Sequence, residues 1–106
     1  MISRQWSGIA KPGLAAAYVE HLEHNTFVGL AKLPGFKRAS ILTREIADMT
    51  EFQIVTEWDS LDSIHAFAGA DISVAVVPEA ARALLSSYDD HVLHYQIERI
   101  FEAPAH

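Results

Sequence analysis

The feature that most constrains this chain is the run EFQIVTEW, residues 51–58, in which Phe52, Ile54, Thr56 and Trp58 alternate with Glu51, Gln53, Val55 and Glu57. A period of two sends the first set to one face of a β-strand and the second to the other, so the strand has a face to bury. The stretch DSLDSIHAFAG follows at once. Asp59 or Ser60 can accept the free N–H groups of a helix start, and Gly69 can end the helix in the left-handed region. A short helix packed back on the strand is the expectation. With 106 residues the chain has room for one core. No linker, repeat or low-complexity segment divides it, so a single domain spans 1–106.

The flanks extend this unit. Residues 1–9 put Ile2, Arg4 and Trp6 on one face and Ser3, Gln5 and Ser7 on the other, a first strand that ends at Gly8. Pro12 suits a first helical turn, and Leu14, Tyr18, Val19, Leu22, Phe27, Leu30 and Ala31 recur at helical spacing until Pro34 and Gly35 stop the helix. Phe36 opens an extended run to about Ile46, and ADMTE turns it into residues 51–58. Residues 71–77 read as loop or short helix. Pro78 opens a second amphipathic helix with the stripe Ala81, Leu84, Leu85 and Tyr88, and a last strand covers 91–101. In that strand the apolar set Leu93, Tyr95, Ile97 and Phe101 should meet the helices. The element order is that of the ferredoxin-like βαββαβ fold of the α+β class, an antiparallel four-stranded sheet with helices on one face. A bare sheet face carrying Val55, Val92 and Ile100 among polar residues predicts a homodimer.

Composition removes several functions. The net charge is −6, and no basic cluster exceeds Lys37-Arg38, so neither nucleic acid nor a membrane surface is an expected partner. There is no cysteine, hence no disulfide, thiolate metal site or thiol nucleophile. The start MISRQWSGIA lacks an apolar leader core, and no apolar run nears the roughly 20 residues of a membrane span, so the expected location is cytoplasmic.

The segments MISRQWSG, LPGF, TEWDSLDSIHAFAG and HVLHYQI, in that order and spacing, resemble the dimeric α+β barrel proteins of the antibiotic biosynthesis monooxygenase family. The resemblance implies a dimer of two ferredoxin-like sheets, each subunit with a cavity between sheet and helices. It also implies oxidation of a small aromatic or polyketide-like compound by molecular oxygen with neither metal nor flavin. In that family the polyketide oxidisers pair a Trp at the end of the third strand with an Asn four residues earlier and a Tyr six residues later. Trp58 matches the first, while Ile54 and Ile64 stand at the other two. A haem-degrading branch uses a Trp and a His at places that fall here on Phe67 and near Val77, so haem degradation is disfavoured.

For chemistry, the residues leave His65, seven positions after Trp58 on a half-apolar helix face, as a neutral imidazole able to accept a phenol or enol proton. One reading of His65 sets it at the helix boundary with one nitrogen in water; in the functional reading His65 and Trp58 are catalytic residues looking into one hollow of a few hundred cubic ångströms. Trp6, Phe67, Tyr88, His94 and Tyr95 would contact substrate, and Trp6 would flank the same mouth as Trp58. His91 and His94, three apart on a strand, point to opposite faces and cannot share a metal. Arg4, Arg38 and Arg44 are equally able to bind an acidic group. The alternative is a binding or structural dimer whose helices close on the sheet and leave only packing among Phe52, Trp58, Phe67 and Tyr88.

Overall fold

The computed structural model describes residues 1–105. Strand β1 (Ile2–Ala10) leads into a helical segment made of α1 (Ala15–His21), a π-helical turn (Leu22–Thr26) and α2 (Phe27–Leu30). Strands β2 (Phe36–Ile46) and β3 (Met49–Trp58) form a hairpin and helix α3 (Leu61–Ala68) follows. The chain ends with the short helix α4 (Glu79–Arg82) and strands β4 (Leu85–Tyr88) and β5 (Leu93–Gln96). The sheet runs β2-β3-β1-β4, with β5 also on β1, and its paired strands are antiparallel. This is the α+β, ferredoxin-like order. The alternation in β3 holds: Phe52, Ile54, Thr56 and Trp58 are all buried. Ser60 caps α3 by accepting from the Ser63 N–H at 3.3 Å, and Gly69 ends it at φ 82°.

The last third differs from the expectation in three ways. The predicted helix after Pro78 stops at Arg82, and Leu85 and Tyr88 lie in a strand instead. A spacing of three among few apolar residues cannot separate one helical turn from a short edge strand. With β4 on Gly8–Ala10 and β5 on Ile2–Gln5 the sheet has five strands instead of four, and the final strand is shorter than expected, Leu93–Gln96 instead of 91–101. Its facing is also reversed. The register sets Ser3 opposite Tyr95 and Arg4 opposite His94, so His94 shares the helix side with Arg4 while Leu93 and Tyr95 emerge on the open face. Leu93 is 62% exposed, Tyr95 50% and Phe101 95%.

Two clusters fill the space between sheet and helices. Ala10, Tyr18, Leu22, Phe52, Ile54, Ala81 and Leu85 form one, and Ile2, Leu30, Trp58 and Ile64 the other. Among the described residues no helix is long and apolar enough to cross a membrane.

Candidate functional site

Between the two clusters a chamber of about 70 Å³ remains under the helices. One water needs about 10–15 Å³ in such a measure, so the space exceeds a packing defect. The sheet contributes Arg4, Trp6, Ile54 and Thr56, the first helical segment Tyr18, Leu22 and Phe27, helix α3 Phe67, and the 76–81 stretch Val76, Val77 and Ala81. Outside it lies a vestibule of about 320 Å³ between the π-helical turn, α3 and Pro78. Chamber and vestibule share Thr26, Leu30, Phe67, Val76 and Pro78, which makes them one path from solvent to sheet. The π-helical turn helps to open it. Its extra residue per turn carries Leu22, Thr26 and Phe27 to the same side.

Trp6 reaches the chamber because its neighbour two places on is Gly8. A methyl group at Gly8 would come within 2.8 Å of Cη2 of the Trp6 indole. The indole Nε1–H donates to the Asp89 carbonyl at 2.7 Å, and the ring lies 6.2 Å from that of Tyr88. These contacts fix its plane.

Among the described residues, Arg4 is the one cation in the wall. It is 5% exposed, and its guanidinium stands 5.7 Å from the centroid of Phe67. Nη1 donates to the Ile72 carbonyl and to Nε2 of His94, the latter at 3.0 Å, and Nη2 donates to the Val74 carbonyl at 3.3 Å. His94 must therefore accept on Nε2 and keep its proton on Nδ1. Burial, and then the Arg4 charge, hold the His94 imidazole below its ordinary pKa. Burial also draws the Arg4 guanidinium down to about 10, which leaves it charged at neutral pH. Tyr18, 2% exposed in the opposite wall, has its hydroxyl pushed up by burial and stays protonated.

The register explains why Arg4 differs from the other arginines of the sheet. Arg38 faces Glu57 and Arg44 faces Glu51 across β2 and β3, and both are ion-paired. Arg4 faces Thr56 on one side and His94 on the other. Neither is an acid. The sequence offers Arg4, Arg38 and Arg44 alike and hides their cross-strand partners, so it does not single out Arg4, and Tyr18 is a site residue that sequence reasoning missed.

The expected residues are distributed differently. Trp6 and Phe67 line the chamber, and His94 joins it through Arg4. Trp58 is fully buried behind Phe67, its ring stacked at 6.2 Å and its Nε1–H given to Thr56 Oγ1 at 2.9 Å. His65 is exposed, with Nδ1 2.8 Å from the Gly69 carbonyl at the end of α3. The expected hollow of a few hundred cubic ångströms shared by Trp58 and His65 is thus replaced by a chamber of about 70 Å³ that neither lines. Nor do Trp6 and Trp58 flank one mouth, since Trp58 pairs with Ile2 at one end of the ladder and Trp6 with Ile54 at its middle. Tyr88 backs Trp6 from outside the chamber, and Tyr95 is on the open face. Phe67 and Val77, at the places of the haem branch's Trp and His, both line the chamber, and neither can ligate iron.

No protein-family model matches the sequence, and no curated protein matches it. Solved structures do match it in three dimensions. A variant of SnoaB, a cofactor-independent oxygenase from Streptomyces nogalater, is similar at TM-score 0.69 and 17% identity over 96% of this chain and 97% of its own. A Bacillus cereus protein classed with the antibiotic biosynthesis monooxygenases gives TM-score 0.68 and 15% identity over 99% and 98%. The monooxygenase from the gene ActVA-Orf6 of Streptomyces coelicolor, solved with nanaomycin D, gives 0.60 and 17% over 98% and 92%. These likenesses, over nearly the whole chain, show the fold, which is that of the antibiotic biosynthesis monooxygenases.

Proposed function

We propose that this protein is a cofactor-independent monooxygenase of a small hydroxylated aromatic or polyketide-like compound. The observation that carries the reading is the chamber together with its vestibule: an apolar, aromatic space of about 70 Å³ under the helices, walled by Trp6, Phe27 and Phe67, too small alone for a bicyclic ring, that continues into the 320 Å³ vestibule. Such walls accept a planar ring and exclude water from it. The likeness to SnoaB and to the nanaomycin D complex supports the same chemistry.

The substrate supplies the electrons. A phenol loses its proton, the anion passes one electron to oxygen, and the aryloxyl radical and superoxide combine at the ring carbon para to the oxygen. Protonation gives a hydroperoxide. Loss of the ring proton and cleavage of the O–O bond then leave a quinone and one water, so phenol and oxygen are balanced by quinone and water. The chamber lining contains no carboxylate and no imidazole among the described residues. Its part is to seat the ring, keep the intermediate dry and favour the anion, while the first proton leaves to water in the vestibule.

The reading includes a second copy of the chain over the open sheet face. Leu42, Leu93 and Tyr95 are exposed there, on the same face as half-buried Val55 and Gln5. Sedimentation should give a species of twice the chain mass. Oxygen uptake with a dihydroxynaphthalene or anthrone, in metal-free buffer with chelator, tests the activity. Stoichiometric oxygen consumption with quinone formation is the expected result, and uptake no faster than without protein rejects it.

A further inference from the structure

We infer that the buried guanidinium of Arg4 is an anion-binding site at the inner end of the chamber, and that the ligand it takes is a planar aromatic whose acidic oxygen enters as carboxylate or enolate. This deepens the proposed function by naming the charge of its ligand, yet it stands on separate observations. A buried cation normally sits against a carboxylate. Arg4 is 5% exposed, and among the described residues its polar partners are the Ile72 and Val74 carbonyls and an imidazole. None of these carries negative charge.

The donors count the same way. A guanidinium has five N–H groups. Ile72, His94 and Val74 take three, two from Nη1 and one from Nη2, which leaves Nε–H and one Nη2–H. The three contacts and the Phe67 ring at 5.7 Å hold the plane of the group while those two donors remain for a ligand. Planar oxyanions suit such a pair. Apolar and aromatic walls beside it add a demand for a ring. His94 serves as a positioning residue, since its Nε2 accepts only while the imidazole is neutral.

Two probes of one shape and different charge decide the matter: 2-naphthoate and 2-naphthamide, titrated calorimetrically into the intact protein at neutral pH. The naphthoate should bind about tenfold or more tighter than the amide, the range of a charge-assisted hydrogen bond. Arg4→Met should bring the ratio to about one, while Arg4→Lys, which keeps the charge but not the fork, should leave it in between. Equal affinities in the unaltered protein overturn the inference, even if Arg4→Met fails to fold. A ratio unchanged in folded Arg4→Met overturns it as well. Failure of oxygen uptake with naphthoate selectivity intact would sink the oxidation and leave the anion site standing. Uptake without that selectivity would do the reverse.

Discussion

The guanidinium of Arg4 lies over the ring of Phe67, and Trp58 stacks on Phe67, so a cation–π contact and an aromatic stack are joined in one wall. Phe67→Ala should therefore act twice. Removing the half-buried ring costs about 2 kcal/mol of stability, below the figure for a fully buried Phe. It also frees Arg4 from one side, so naphthoate affinity falls further than that of the amide. Phe67→Leu restores most of the volume but not the quadrupole, and it should recover the stability while leaving the affinity reduced. Urea unfolding and calorimetric titration read the two effects separately.

His94 gives the protein a pH dependence of definite sign. The unfolded imidazole protonates near its ordinary pKa of about 6.5, and the folded one only at lower pH because it is desolvated and faces Arg4. Between those values the unfolded chain binds more protons, so stability falls as pH drops through that window and is constant above it. In His94→Gln, whose carbonyl can still accept from Arg4, that part of the slope should vanish. Melting temperatures of the two proteins from pH 7.5 to 5 check it. Parallel curves would mean that the imidazole does not titrate as assigned.

Gly8→Ala moves Trp6. The added methyl meets the far edge of the indole at 2.8 Å and Tyr88 Cβ at 3.3 Å, so the ring must leave its plane. Its hydrogen bond to the Asp89 carbonyl goes with it. Overpacking of this kind costs about 1–3 kcal/mol. A change in the near-ultraviolet circular dichroism of the tryptophans should accompany lower affinity for a bicyclic ligand.

His65→Ala tests a negative. The side chain is exposed and, among the described residues, hydrogen-bonds only the Gly69 carbonyl, so the substitution should leave oxygen uptake unchanged and alter stability by no more than about 0.5 kcal/mol. A tenfold loss of turnover would return the proton-acceptor role to His65.

The halves of the molecule were unequally legible. Strands β2 and β3 and helix α3 are written locally: an alternation, a Pro34-Gly35 stop and a Ser60 cap each act within a few residues. The facing of β5 is not. Its more apolar set would go inward by composition, yet His94 goes inward because it lies across from Arg4, ninety positions away in the chain. The same holds for the site. Trp6 and Phe67 were visible as aromatic residues on the core face of predicted elements. The standing of Arg4 was not, since it depends on which strand pairs with which and in what register. Trp58 and His65 sit seven residues apart with a helix start between them, and spacing alone did not reveal that the helix turns the imidazole away from the sheet.

The π-helical turn at Leu22–Thr26 sets the phase of everything after it. Deleting one residue there, Glu23 for instance, would let the segment wind as an ordinary α-helix with Phe27 and Leu30 close to their present facing, whereas winding the same five residues as α-helix would rotate both by roughly a quarter turn about its axis. The choice between π and α winding over these five residues thus redraws the ceiling above the ligand while the sheet and its arginine stay in place, a route by which one scaffold acquires new substrates without rebuilding its floor.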